Sequence, residues 1–429
     1  MRYEPADKQL FIHNRANLVK ALKPNSIAVI HSNDVFPSNA DALMPFKQNT
    51  DFYYLCGIDQ EESALILFPD AKEEKDREIL FVLETNEYLA IWEGDKLNKE
   101  KATELSGVAR VEWVDSFDKV LAHVASLAET IYMTSNNHPR NSAKVKTRND
   151  ALIPVYKERF PLHKFEPLAP HIHKLRVTKH PLEIEKLQQA CDITEKGFRR
   201  VLEFIKPGVG EWEIEAEYIH EFTRSNSKGF AYTPIIGSGF NACVLHYIDN
   251  NNIVKDGDVL LMDVGAEYAN WNADMTRSVP VNGKFTDRQR AVYDAVLRTL
   301  RYCDTILRPG VCPKEYQKKV LQFMEGELIG LGLIDAEEAK KQDETKPLVK
   351  KYFMHGTSHH LGLDVHDVCP PDTLFDVGQV LTIEPGIYIR EENLGIRLEN
   401  DFLIGEKENT DLMANIPIEA DEIEALMAK

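Results

Sequence analysis

Cysteine is scarce in this chain: Cys56, Cys191, Cys243, Cys303, Cys312 and Cys369 are spread over 429 residues with no C-x-x-C pair. That argues against a disulfide scaffold, a zinc ribbon or a dithiol redox motif, and reduced cytosolic thiols are expected. Long apolar runs are missing too. Segments such as SIAVI and ALILF fall far short of the roughly 20 residues that a membrane-spanning helix needs. The start MRYEPADKQLF places Glu4, Asp7 and Lys8 where a secretory signal would need an unbroken apolar core, so a cytoplasmic location is expected. Positive charge is in deficit, with Lys+Arg 51 against Asp+Glu 69 and a formal net charge of −18. Such a surface repels phosphate backbones and anionic lipid, which excludes nucleic acid and membrane as expected partners. Two hydrolytic signatures are absent as well. There is no H-E-x-x-H zinc motif, and no G-x-S-x-G elbow, since GTSHH ends in histidine where glycine is required.

What is present is ordinary globular material, 43% hydrophobic and 28% charged, in a chain long enough for two domains. Up to about residue 160, short β-type runs (64–68, 78–83, 129–133) alternate with charged, helix-compatible stretches, the pattern of an α/β domain. Pro154, Pro161, Pro167 and Pro170 then punctuate a stretch of little periodicity, where a linker is expected, with the boundary near 165–175. From His180 the pattern turns to long amphipathic helices. Pro181 suits a first helical turn, and Ile184, Leu187, Cys191, Phe198, Leu202 and Ile205 recur at helical spacing until Lys206-Pro207-Gly208 stops the run. A helix over 287–307 ends in the same way at Arg308-Pro309-Gly310. KPGVGEWEIE and RPGVCPKEYQ therefore read either as one junction used twice, giving a domain of two related halves, or as two independent Pro-Gly helix stops.

Chemistry concentrates in the strand-like runs that follow each junction. In DGDVLLMDVGAEYANWNADMTRSVPVNG, Asp263 and Asp274 sit inside strand-like runs, where aspartate is normally depleted. A turn at Tyr268-Ala269 would make them direct cross-strand neighbours. Two facing carboxylates repel unless a cation or a shared proton lies between them; alone, the pair could equally be solvated strand ends. GQVLTIEPGIYIREENLGIRLENDFLI repeats the arrangement, with Glu384 and Glu399 paired by a turn near Glu391-Glu392. Between the hairpins, YFMHGTSHHLGLDVHD brings His355, His359, His360 and His366, with Gly356 and Gly362 arguing for a loop. Four carboxylates and one imidazole supply enough donors for two adjacent divalent ions.

These residues resemble the pita-bread-fold metallopeptidases of the Xaa-Pro aminopeptidase (aminopeptidase P) family, over nearly the whole chain. The resemblance implies an α/β architecture: a smaller N-terminal domain over 1–170, which PFKQNTDFYYLCGIDQEESALILFP is similar to, and a pita-bread catalytic domain over 171–429. It implies Asp263, Asp274, His359, Glu384 and Glu399 as ligands of two divalent ions, most in keeping with Mn²⁺, with Zn²⁺, Co²⁺ or Fe²⁺ as alternatives. It further implies removal of the N-terminal residue from peptides with proline second, through a hydroxide shared by the metals, with Glu384 relaying the proton. His246, His355 and His366 are implied to contact substrate, Arg397 to support the last glutamate, and the chain to form a homodimer or homotetramer. Ser358 and Arg277 look more like aminopeptidase P than like prolidase, which has the same ligands and cleaves Xaa-Pro dipeptides. A third reading is a pita-bread binding protein without catalysis, which five intact ligands disfavour. His360 matches no role in the family pattern, and Cys369-Pro370-Pro371 departs from it where glycine usually follows.

Overall fold

A computed structural model describes residues 2–136, 140–343 and 345–428. The chain divides into two compact units, Pro5–Arg176 and Val177–Lys429, the second also taking in Met1–Glu4.

The N-terminal unit is built on one six-stranded sheet. Its strands are β1 (Ser26–His31), β2 (Ala64–Leu67), β3 (Glu78–Val82), β4 (Arg110–Trp113), β5 (Thr130–Met133) and β6 (Lys164–Pro167), in the order β4-β3-β2-β1-β5-β6. The β1–β2 and β2–β3 pairs are antiparallel and the others parallel. Every residue of β1 and β2 is buried, which is why both read as continuous apolar runs rather than as alternating ones. Ile27, Val29, Ile66 and Phe81 meet Phe117, Leu121 and Tyr156 from the helices Phe117–Ala125 and Arg148–Arg159 in one core cluster.

The proline-rich stretch is not a linker. Pro154 lies inside the helix Arg148–Arg159, and 164–167 forms the sheet's last strand. Proline is tolerated at that sheet edge because an edge strand can spare a donor, so local proline density misleads here.

The second unit carries the expected helices. The first, α1 (Pro181–Phe204), has His180 as N-cap and Pro181 at its first position. α2 (Glu211–Arg224), α3 (Asp287–Ile306) and α4 (Pro313–Gly330) follow. The two Pro-Gly junctions are structurally equivalent. Gly208 N–H donates to Val254 O and Val254 N–H to Val209 O; Gly310 N–H donates to Phe375 O and Phe375 N–H to Val311 O. Both glycines have positive φ, +95° and +82°, which glycine adopts without a Cβ penalty. Counting on from the matching turn glycines Gly257 and Gly378, Asp263 and Glu384 occupy the same place in the two halves. The repeat is thus one helix-junction-helix-hairpin unit used twice.

Candidate metal centre

In the first half, β7 (Ile235–Ser238) and β11 (Met275–Pro280) flank β8 (Val259–Val264), while β9 (Ala266–Tyr268) pairs with β10 (Trp271–Asn272). The turn is Ala269-Asn270, both at positive φ, +53° and +73°, as a two-residue type I′ hairpin requires. It lies one residue later than Tyr268-Ala269. In consequence Asp263 faces Thr276, not Asp274. Asp274 is two positions along, a diagonal neighbour on the same face. The expected direct opposition is therefore corrected to a diagonal one. The side chains still converge, because the Tyr232 hydroxyl contacts Asp263 Oδ1 at 2.5 Å and Asp274 Oδ1 at 2.6 Å. A phenol has one proton to give, so one of these contacts needs a carboxyl proton or a cation nearby.

The second hairpin has the direct geometry. β12 (Val380–Ile383) pairs with β15 (Asn400–Leu403), and β13 (Gly386–Ile389) with β14 (Leu394–Arg397), in one register. The rungs Ile383↔Asn400 and Gly386↔Arg397 leave Glu384 opposite Glu399 between them. The halves join at a Thr276↔Glu399 bridge, where Thr276 Oγ1 donates to Glu399 Oε2 at 2.6 Å.

His359 arrives on an extended loop strapped to β12: its N–H donates to Thr382 Oγ1, and Thr382 N–H donates to its carbonyl. Its Nδ1 lies 3.0 Å from His360 O and donates there, so Nε2 is the nitrogen turned to the carboxylates, holding a proton in the metal-free protein and offering its lone pair once a metal displaces that proton. Nε2 sits 3.4 Å from Asp274 Oδ2 and 3.8 Å from Glu384 Oε1. Asp274, His359 and Glu399 each offer a ligand atom, all within 4.8 Å of one another.

The electrostatics describe a surplus of buried negative charge. Burial pushes Glu399 well above the usual carboxylate range, and the neighbouring Asp274, Glu384 and Asp263 push the same way. Burial also raises Glu384 to about 7, reinforced by Asp274 and Asp263 and opposed by His359 and Arg397. Asp263 is raised by burial despite Arg397. Burial lowers His359, but its bond to Asp274 and the charge of Glu384 outweigh this and bring it to about 9. A divalent cation relieves such a set directly, and hard oxygen donors with one imidazole are suitable ligands. The residues fit a metal.

Arg397 supplies a fixed positive charge among them. It reaches Asp263 Oδ2 at 2.5 Å, Thr276 Oγ1 at 3.0 Å and the Tyr388 hydroxyl at 2.9 Å, so it braces the first half's aspartate from the second half's strand. His355 is engaged at both nitrogens: Nδ1 donates to Gly356 O, and Nε2 accepts from the Tyr388 hydroxyl, whose oxygen accepts a hydrogen bond from Arg397. Burial drives its pKa down to about 3, so the ring is neutral. His366 is exposed, with its ring 4.4 Å from that of His359 and at 86° to it. His246 is exposed and close enough for its charge to bear on His355.

Arg277 is fully buried and clamps carbonyls of Pro417, Thr276 and Glu399; it serves the framework. Ser358 shares a hydrogen bond with the Tyr316 hydroxyl. Both help line or frame the site without entering the donor cluster. Cys369 and Pro370 border a cavity of about 270 Å³ together with Tyr316, Ser358 and His359.

Three residues escaped sequence reading. Tyr232 bridges the two aspartates, and Thr276 links Arg397 to Glu399. Asp401, wholly buried, accepts the Asp274 N–H at 3.1 Å. Only Asp401 left a trace, as a second acid two positions beyond Glu399.

The fold and the donor set define a metal-dependent hydrolase. The family model "Metallopeptidase family M24" matches 185–406, and "Aminopeptidase P, N-terminal domain" matches 11–132. The chain belongs to metallopeptidase family M24 and carries that N-terminal domain in front of it. It is 34% identical over 436 aligned residues to the Xaa-Pro aminopeptidase of Escherichia coli (strain K12), covering 98% of each chain. A Bacillus anthracis structure provisionally described as an aminopeptidase P superposes with TM-score 0.91 at 33% identity, covering 98% of both. Zinc-substituted E. coli aminopeptidase P in complex with product gives TM-score 0.87 at 33% identity, covering 99% of both.

Proposed function

We propose that this chain is a divalent-metal Xaa-Pro aminopeptidase that releases the N-terminal residue from peptides with proline at the second position. One observation carries the chemical half of this reading: Asp263, Asp274, Glu384 and Glu399 converge in a buried cluster with more negative charge than Arg397 and His359 can balance. The substrate half is supported by similarity along the full length to proteins of that name rather than to prolidase. The reaction is assigned to the C-terminal domain expected over 171–429, which follows the N-terminal domain expected over 1–170.

Asp263, Asp274, His359, Glu384 and Glu399 would hold two divalent ions, with manganese the favoured occupant and zinc, cobalt or iron(II) as alternatives. Bound ions of this kind supply the charge that polarises a peptide carbonyl and acidifies water. Glu384 lies at the cluster's edge, 3.7 Å from His355 Nδ1 through its Oε2, and is assigned to carry the proton from the attacking water to the proline nitrogen. His246, His355 and His366 are assigned to substrate carbonyl oxygens. For His355 this means giving up one of its two present hydrogen bonds. Donors aimed at a developing oxyanion are worth about 10²-fold in rate or more. A cytoplasmic homodimer or homotetramer is the working assembly.

Cleavage of Xaa-Pro-Xaa and Xaa-Pro peptides, compared under Mn²⁺, Zn²⁺ and Co²⁺, tests both halves. Turnover of the tripeptides is expected. Turnover of dipeptides alone would identify a prolidase, and preference for a non-proline second residue would remove the specificity while sparing the metal site.

A further inference from the structure

The loop between His359 and His366 is held by contacts that the reaction itself does not use. Lys179 lies just ahead of α1, and its Nζ meets Asp367 Oδ2 at 2.8 Å with both side chains 1% exposed. The segment bearing Lys179 is fixed in turn, since its N–H donates to Gly378 O and Thr178 bridges Gln379 at the foot of β12. Asp367 is fixed from its other side as well: Oδ1 accepts the Val368 N–H, and its own N–H donates to His360 O. Gly362 packs so closely that a Cβ would stand 2.3 Å from Asp367 Oδ2 and 2.9 Å from Lys179 Cε. At the loop's start, Asn272 Nδ2 donates to the carbonyls of Gly362 and Leu363, two residues before Asp274 on the same chain.

A buried ion pair is poor stabiliser material, because desolvating both charges cancels much of their attraction, and apolar replacements of similar volume are often neutral. Its use is to fix one arrangement. His366 stands next to Asp367 at the exposed end of this loop, edge-on to His359. We infer that Lys179 and Asp367 form a buried ionic latch that positions His366 over the candidate metal centre, making Lys179 a positioning residue for the reaction from 187 residues away. The inference rests on the assignment of His366 to a substrate carbonyl, and displacements of the order of an ångström can cost about 10²-fold in rate.

The test is a cycle of variants in the metal-loaded, full-length protein. Lys179→Met alone strands a buried carboxylate and risks misfolding, so Lys179→Met/Asp367→Leu carries the experiment. This pair is expected to keep its metal content by elemental analysis and its melting temperature, to shift the His366 imidazole resonances, and to lower kcat on the order of 10²-fold. Combined with His366→Ala, it should add little to the loss from His366→Ala alone. Parent-like kcat in the latch pair, with His366→Ala impaired, overturns the latch and leaves the reading of His366 standing. Losses that multiply in the combined variant also overturn it, because the pair would then act elsewhere. Full activity in His366→Ala removes the reading of His366 and the latch with it.

Discussion

Buried charge is handled in opposite ways in the N-terminal unit and at the candidate metal centre. In the N-terminal unit, charges that leave water are matched in place. Asp51 meets Arg176 at 2.8 Å and His173 at 3.4 Å, and although burial works against it, these partners hold its pKa below the ordinary range. Arg15, fully buried, pairs with Glu78 and donates to the carbonyls of Leu55 and Ser106. At the metal centre the carboxylates cluster with each other, and Asp263, Glu384 and Glu399 are pushed up, unlike the matched Lys179–Asp367 pair of the same unit. The contrast separates charge that belongs to the fold from charge that waits for a cation. A matched pair is complete as built, whereas a like-signed cluster needs something added.

Metal removal should break the comparison most visibly. Chelation is expected to abolish peptide hydrolysis, by more than about 10³-fold, since a bound metal contributes several kcal/mol to the transition state. Adding Mn²⁺ back should restore it. Hydrogen exchange across 259–280 and 380–403 should slow on reloading while the N-terminal sheet is unmoved; equal protection of both units would count against the comparison.

Single neutralisations should then differ in sign. Asp51→Asn leaves Arg176 buried beside a neutral partner and is expected to destabilise the N-terminal unit by about 3 kcal/mol. Glu399→Gln removes one of several crowded carboxylates, so the metal-free protein should be no less stable, or more so, in urea unfolding. The same variant should lose the stabilisation that metal gives the parent, about 2.7 kcal/mol at 100 times Kd. If Glu399→Gln unfolds as easily as Asp51→Asn, surplus charge is not what marks this site.

Tyr232→Phe sharpens the contrast at lower amplitude. It deletes the hydroxyl held between Asp263 and Asp274 without disturbing a backbone bond, and partners of metal ligands typically matter 10–100-fold in affinity or activity. Titration of the metal-free variant with Mn²⁺, read by calorimetry, should show that weakening.

Much of this site was legible in the sequence because strand pairing is arithmetic. Once a turn is placed, every facing pair follows, and the turn near Glu391-Glu392 set Glu384 against Glu399. The first hairpin slipped by one residue because Ala269 shares the positive φ with Asn270, and alanine gives no signal for that. The catalytic helices were legible from their apolar spacing and Pro-Gly stops, and the repeat from its junctions. Tyr232, Thr276 and Lys179 were hidden for another reason. Each acts on a residue far away in the chain, and nothing in their neighbours announces it. Proline density misled for the converse reason: the strand at 164–167 is set by pairing with Thr130–Met133, a long-range contact that overrides local punctuation.

The smallest effect concerns pH and the matched unit alone. His31 on β1 is buried, with Nε2 2.8 Å from the Tyr156 hydroxyl, and burial lowers its pKa to about 3. An unfolded chain binds that proton near pH 6.5, so between about 6.5 and about 3 the unfolded state holds more protons than the folded one. This contribution to stability is therefore complete above about pH 6.5 and is lost progressively as pH falls, amounting to about 2 kcal/mol by pH 5. Unfolding in urea, followed at Trp113 at the end of β4 in this sheet, in a variant lacking the other tryptophans, should show that slope. In His31→Phe the slope over this range should flatten by about that amount. An unchanged slope in the variant would mean that other groups set the acid sensitivity of the N-terminal unit, and that its buried histidine is not the exception to matched charge which its burial implies.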